Sequence, residues 1–403
     1  LFQLSFVEFK KGSYVLVDGA DNNDRFYIIQ SGRVNVFNTL DPGKNSTKIL
    51  STGDFLGVIP CMACHAQMEN AIAVEDTKAI AVTREQYPSL IESNVPIAMK
   101  IIRTFSNRMR EMNEQLTQLT LNNVSSGTQE QIFKVAEYYD KNGLYDIASY
   151  AYYSYLKECP QGIEKERAKK RFAELKSVSH AVYYEPTDEL VRDYPKGTMI
   201  MAENQTGSDL FVIQEGQVKI SKVVNGKEMI LSILKKGDMF GEMALLENKT
   251  RSASAIAQEN CKVMVVNQEN FNHMVSIHSQ LISRLTITFA DRLWAMYRQL
   301  SNTRFKEPLH KAIDMLSIQL EKDRKLFGSY QTAITFQDLI DMCAIPQKQQ
   351  PTALMALQNQ KNIRLVHEKI FIPDCQEIIK LAAIFKKQEA EKNKSQEKRT
   401  GNV

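Results

Sequence analysis

A chain of 403 residues, 43% of them hydrophobic, holds enough apolar material for several packed cores, yet no apolar run reaches the length of a membrane span. Six cysteines over this length make no disulfide framework, which fits a reducing compartment and excludes a small secreted scaffold. The net charge of +4 sits mostly in the tail: from Lys386 onward there are six Lys or Arg against three Glu, so the remainder is close to neutral and carries no general nucleic-acid signal. The opening Leu1-Phe2-Gln3-Leu4 lacks the make-up of an export signal, and a cytoplasmic protein is expected.

Strand signals begin at once. Tyr14 to Val17 and Phe26 to Gln30 are apolar runs, Ser31-Gly32 is a turn, and Val34-Asn35-Val36 alternates. A helical pattern follows, with Ile102, Phe105, Met109, Met112, Leu116 and Leu119 along one stripe. Residues 128 to 176 read as a helical pair broken at Asn142-Gly143. Ile132, Val135, Ala136, Tyr139, Ala148, Tyr152, Tyr155 and Pro160 fall where a tetratricopeptide unit interlocks two antiparallel helices. One such unit cannot bury its faces alone, so it is expected to pack on the preceding helix and on the segment from Ile163 to Leu175, as a rigid spacer.

The strand order then returns. Phe211 to Gln214, Glu215-Gly216 and Val218-Lys219-Ile220 repeat the earlier run, and aligning Gly32 with Gly216 gives an offset of 184. That offset pairs Gly53-Asp54 with Gly237-Asp238, Gly57 with Gly241 and Arg108 with Arg292, so one domain occurs twice. In the second copy Asn225-Gly226 is a hairpin signal, because both residues accept positive φ. Short strands in this order suggest a small double-sheeted β-barrel or jelly roll. After the second copy Ile282, Leu285, Phe289, Leu293, Met296 and Leu300 form another helical stripe, read as a coiled-coil-like seam for a dimer.

The chemistry concentrates in one loop of the second copy, Phe240-Gly241-Glu242-Met243-Ala244-Leu245-Leu246-Glu247-Asn248-Lys249-Thr250-Arg251-Ser252-Ala253. Gly241 lets the backbone turn so that the N–H groups at Met243 and Ala244 face an anion. Glu242 can accept a ribose hydroxyl, Arg251 can pair two phosphate oxygens, Ser252 adds a hydroxyl and an N–H, and Ala253 completes the loop. The spacing resembles the phosphate-binding cassette of cyclic-nucleotide-binding domains, as in the bacterial Crp/Fnr regulators and the regulatory subunit of protein kinase A. In the family's bacterial members a Thr-Ser pair on the long helix reads the base; the aligned residues here are Met296 and Tyr297.

In the first copy Val58 stands for Glu242, Gln67 for Arg251, Met68 for Ser252 and Glu69 for Ala253, so a carboxylate replaces the attraction for an anion. That loop also spells Cys61-Met62-Ala63-Cys64-His65, a haem-attachment pattern, but Cys61 and Met62 occupy the slots of Leu245 and Leu246, and core packing is the expectation.

Leu309, Ile313, Leu316 and Leu320 begin the last segment as an amphipathic helix. The run from Ile334 to Pro373, with Thr335 as an N-cap, resembles the winged helix-turn-helix of Crp/Fnr regulators, whose recognition helix would cover Gln347 to Gln360. The turn Gly of that pattern is Ala344 here, and Pro351 implies a helix starting near itself. The resemblance puts DNA contacts at Gln347, Lys348, Thr352, Arg364 and Lys369.

The fold class expected is therefore α+β: two double-sheeted β-barrel domains of the cyclic-nucleotide-binding kind, each followed by a long helix, with a tetratricopeptide-like hairpin between them and a C-terminal winged helix. The boundaries are 1–122, 123–176, 177–302 and 303–385, with a charged disordered tail over 386–403. The function implied is a cyclic-nucleotide-responsive transcriptional regulator, or alternatively a signalling adaptor that binds protein. cAMP is the first ligand expected, with cGMP or a cyclic dinucleotide as alternatives and no metal. A homodimer and double-stranded DNA are the partners, with no membrane. No nucleophile–base constellation or phosphate-transfer motif suggests an enzyme.

Overall fold

The computed structural model describes residues 5–37, 47–121, 128–184, 189–224, 226–242, 249–267, 270–271, 279–343 and 345–400. The chain divides into two compact units, one of residues 1–109 and 269–297, the other of residues 110–268 and 298–403.

In the first unit, strands β1 (Ser5–Phe9), β3 (Arg25–Ser31), β6 (Phe55–Leu56) and β8 (Thr77–Thr83) form an antiparallel sheet in the order β1-β8-β3-β6. Strands β2 (Tyr14–Leu16), β4 (Val34–Phe37), β5 (Thr47–Leu50) and β7 (Asn70–Ala73) form a second, ordered β2-β7-β4-β5. Alternation sends Ile29, Val34, Val36, Leu56, Ala71 and Ala73 into a shared core. The sheets remain separate, so the expected barrel is an open β-sandwich. Helices α1 (Val58–Ala63) and α2 (Tyr87–Ser93) lead to the long α3 (Val95–Leu121), whose Ile102, Phe105 and Met109 are buried.

The second unit repeats the sandwich. Strands β9 (Val191–Tyr194), β11 (Leu210–Glu215), β14 (Met239–Phe240) and β16 (Cys261–Val266) pair as β14-β11-β16-β9; β10 (Met199–Met201), β12 (Val218–Val224), β13 (Lys227–Leu234) and β15 (Ser254–Ala257) pair as β10-β15-β12-β13. The registers match across the repeat. Val34↔Ala73 becomes Val218↔Ala257, and Tyr27↔Leu56 becomes Phe211↔Phe240, both shifted by the offset read from the glycines. β12 runs straight into β13 with Val224 opposite Lys227, and Gly226 has φ 68°; Asn225 lies outside the described residues.

Between the sandwiches, α4 (Gln131–Lys141), α5 (Tyr145–Glu158) and α6 (Lys165–Lys176) pack in sequence, with Tyr139, Ala148, Tyr155 and Ala168 fully buried. Their partner is more than a neighbouring helix: Met199, Ala202 and Ile256 of the second sandwich belong to the same apolar cluster. Tyr139 Oη donates to Glu228 Oε1 at 2.8 Å. The segment is thus mounted on the sandwich rather than spacing it, and Ile163, expected to pack, is exposed.

The long helix after the second sandwich, α7 (Ser279–Asn302), buries Ile282, Leu285, Phe289 and Leu293 within the first unit. Four residues of the stripe read as a seam for a second chain are thus covered by this one, while Met296 and Leu300 are half-buried. At its end Arg298 pairs with Asp314 and Glu321 of α8 (Pro308–Lys322). Then come β17 (Tyr330–Gln331), α9 (Phe336–Met342), a short 3-10 turn at Gln347–Gln349, α10 (Gln350–Gln358), β18 (Arg364–Val366) and β19 (Lys369–Ile372), the strands ordered β17-β19-β18. Thr335 caps α9 in a reciprocal box with Asp338. Pro351 falls in the first turn of α10, where its missing N–H costs nothing; Ala344 lies outside the described residues. The tail expected to be disordered from Lys386 continues α11 (Cys375–Thr400). Glu389 is buried there and accepts from His310 Nδ1 at 2.8 Å and from the Lys306 N–H at 3.2 Å, which fixes a turn that charge content alone would leave in solvent.

Candidate functional site

Gly241 ends β14 with φ 84°, and a Cβ there would lie 2.7 Å from Asp209 O and from Arg251 Nη1. Only glycine fits this close approach without strain. Arg251 is 4% exposed. Its Nη1 donates to Asp209 O and Gly241 O, each at 2.8 Å, and the guanidinium lies over the Phe211 ring at 5.5 Å. Its backbone clamps the facing loop: Asn204 N–H donates to Arg251 O at 2.8 Å, and Arg251 N–H to Gln205 O at 2.9 Å.

Burial pushes the Arg251 guanidinium below its ordinary pKa, while Asp209, Tyr150 and Glu242 push it back up. A cation held out of water on carbonyl dipoles is poised to gain from an arriving anion. Gly207 packs closely on the guanidinium, since a Cβ there would come within 2.8 Å of Nη2 and 3.1 Å of Nε. Glu242 and Ala253 are buried beside Arg251, and Ser252 is half-buried. Met243 and Ala244 lie outside the described residues.

Three contributors escape a sequence reading. Gly207 is an ordinary loop glycine until Arg251 is seen beneath it. Tyr150 of α5 donates to Ile200 O at 3.1 Å and lies within 3.5 Å of the Gln205 amide, so the helical hairpin braces the clamped loop. Arg110 of α3 donates through Nη2 to Thr250 O at 3.2 Å, one residue before Arg251. Met296 and Tyr297, the residues expected near the base, belong to the first unit, and the cassette to the second.

The first cassette keeps the frame and drops the charge. Gly19 N–H donates to Gln67 O at 2.8 Å and Gln67 N–H to Ala20 O at 2.9 Å, the same clamp, while Gln67 Nε2 donates to Asn22 O at 3.0 Å. Glu69 is ion-paired with Arg108. His65 stacks on Trp294 with centroids 3.6 Å apart and planes 12° from parallel. Cys61 is fully buried, its thiol pushed up to about 12 by burial, so it packs the core as its slot implied. Among the described residues no cluster of three or more His, Cys, Asp or Glu could hold a metal ion.

The cyclic nucleotide-binding domain family matches residues 6–94 and again 191–278. The chain carries two cyclic nucleotide-binding domains. Human cGMP-dependent protein kinase 2 is 32% identical over 147 residues, 34% of this chain and 19% of the kinase, so the chain spans about a fifth of that relative. The cAMP-activated global transcriptional regulator CRP of Escherichia coli is 26% identical over 186 residues, 45% of this chain and 88% of CRP. A CRP/FNR-family transcriptional regulator from Thermus thermophilus is similar at a TM-score of 0.39 and 18% identity, covering 48% of this chain and 98% of its own.

In the C-terminal module, Gln347, Lys348, Thr352 and Arg364 are exposed. Lys369 is committed elsewhere, its Nζ donating to Ala333 O at 2.5 Å. Met355 and Leu365 are also exposed, at 65% and 54%. No helix among the described residues is long and apolar enough to cross a membrane.

Proposed function

We propose that this protein is a cytoplasmic, non-enzymatic regulator that binds one cyclic purine nucleotide per chain, in the second sandwich. The observation that carries the reading is Arg251, a buried fork packed under Gly207 with Glu242 buried in the same loop, where the first copy has Gln67 and Val58. The cyclic phosphate lies against Arg251 and Ser252, and the ribose hydroxyl donates to Glu242. Gly241, Met243, Ala244 and Ala253 shape the turn. cAMP and cGMP are the two ligands to test, one for each kind of relative. The domain boundaries follow the sequence division, with residues 386–400 now part of the last helix.

The output is DNA binding through the C-terminal module, a winged helix in which α10 is the recognition helix and the β18–β19 hairpin the wing. Gln347, Lys348, Thr352 and Arg364 face DNA; the Gln347 amide suits an adenine edge and the two cations suit phosphates. With so few cations the affinity falls gently with salt. Fluorescence anisotropy on genomic fragments, with and without saturating cAMP or cGMP, tests this. Binding that strengthens with nucleotide supports it, and none at any salt would refute it. Exposed Met355 and Leu365 favour the second reading, an adaptor that grips protein through the same face.

A further inference from the structure

We propose that α5 positions the nucleotide pocket of the second sandwich: its Tyr150, Ser154 and Glu158 fix the loop that clamps Arg251, so that nucleotide affinity and the docking of the helical segment are linked. This rests on the reading of Arg251 as the phosphate fork. The three residues recur every four positions and so share one face of the helix. They reach three places along one stretch that starts in β10. Tyr150 Oη donates to Ile200 O at 3.1 Å. Ser154 Oγ donates to Gln205 Oε1 at 3.4 Å, and Thr206 Oγ1 donates to Glu158 Oε1 at 2.7 Å. Gln205 is the joint. Its side-chain oxygen also accepts the Ala202 N–H at 2.9 Å, and its backbone oxygen accepts the Arg251 N–H at the same distance. One residue therefore connects the helix to the fork.

Packing alone does not call for this polar face, since Met199, Ala202 and Ile256 already give the helical segment an apolar seat on the sandwich. The first copy holds its corresponding loop from within. Gln67 Nε2 donates to Asn22 O at 3.0 Å, and Asn23 Nδ2 donates to His65 O at 2.9 Å, so cassette and loop are tied directly. In the second copy the Arg251 guanidinium is committed to Asp209 O and Gly241 O, and the outer part of the loop is tied to α5 instead. Coupling between two equilibria is reciprocal. If a docked α5 holds the loop in the arrangement that binds nucleotide, nucleotide in turn holds α5 in its docked place, and the helical segment responds to the ligand.

The experiment is calorimetric titration of the full chain with cAMP and with cGMP, beside amide hydrogen exchange of residues 145–158 with and without nucleotide. Thr206→Val removes the donor to Glu158 at an exposed position, Thr206→Ser keeps it, and a double variant, Tyr150→Phe with Ser154→Ala, strips the buried part of the face. Urea unfolding confirms that each is folded. Thr206→Val is expected to weaken the tighter of the two nucleotides about fivefold, the scale of one hydrogen bond; Thr206→Ser recovers the loss, and the double variant weakens binding further. Nucleotide slows exchange in α5 of the parent, and slows it less in the double variant. Parent-like affinity in Thr206→Val and in the double variant overturns the proposal, as does exchange in α5 that nucleotide leaves unchanged. A loss in Thr206→Val that Thr206→Ser fails to recover also overturns it, reducing position 206 to packing. Should the double variant not fold, the two Thr206 variants decide alone. Should the parent bind neither nucleotide, the reading of Arg251 falls and this inference with it.

Discussion

The two sandwiches agree in register and differ in the residue that closes the same loop. Gln67 and Arg251 make equivalent backbone clamps, and Gln67 reaches its neighbouring carbonyl through an uncharged amide. The fold therefore needs a buried donor of that length at this point, and does not need a cation. Burying a guanidinium on carbonyls costs desolvation that an amide avoids. The charge of Arg251 is supported by the Asp209 and Glu242 carboxylates, and the proposed ligand would compete with them for it.

The most direct way to break the comparison is to make the second cassette resemble the first. Arg251→Gln keeps a donor for Asp209 O or Gly241 O and removes the charge. Nucleotide affinity should fall by about a hundredfold or more, since a bidentate charge-assisted pair is lost, while the melting temperature holds or rises. Calorimetric titration beside a thermal melt reads both, and near-parent affinity would show that the fork is structural after all.

The first domain has filled its pocket region with packing, so its sensitivity should appear in stability rather than binding. Trp294 is 4% exposed and stacked on His65. Trp294→Ala removes that stack and leaves a cavity worth about 3 kcal/mol or more. Urea unfolding should register the loss with nucleotide stoichiometry unchanged. A change below about 1 kcal/mol would mean the stack is incidental.

The second sandwich also differs in what lies against it. Asp341 of α9 faces Glu228 of β13 and Asp338 of its own helix, with Lys219 and Gln337 nearby. Burial, helped by the two carboxylates, lifts Asp341 from 3.8 to about 6. Between those values the folded protein keeps a proton that the unfolded chain releases, so stability falls as pH rises through the window and is level above it. Asp341→Asn should remove that slope. At pH 7 the variant should be more stable by on the order of 2 kcal/mol, and near pH 4 the two should coincide. Equal urea midpoints at pH 7 would count against the buried-carboxylate account.

The repeat, the strand pairing and the cassette were legible because each is local: glycines at turns, alternation in strands, a charged loop at fixed spacing. Thr335 and Pro351 likewise act within one turn. The course of the long helices was not legible, because an apolar stripe of Ile282, Leu285, Phe289 and Leu293 states that a face is buried without stating against what. A second chain and the first unit of this chain satisfy it equally. Glu389 shows the same limit in the tail, where one long-range pairing with His310 outweighs a composition that reads as solvated. Gly207 and Arg110 gain meaning only once Arg251 and Thr250 are beside them.

The reverse exchange should have the smallest effect. Gln67→Arg gives the first cassette a fork, yet Val58 still stands where a ribose acceptor is needed, and Glu69 remains on the rim, paired with Arg108. A new cation there is drawn to that carboxylate, and an arriving phosphate meets a pair already neutralised. Stoichiometry should stay at one nucleotide per chain, with the affinity of the second site unmoved. Calorimetry at high nucleotide concentration checks this. A second site in the single variant would mean that the absence of arginine was the whole difference between the copies, and that Glu69 and Val58 are bystanders.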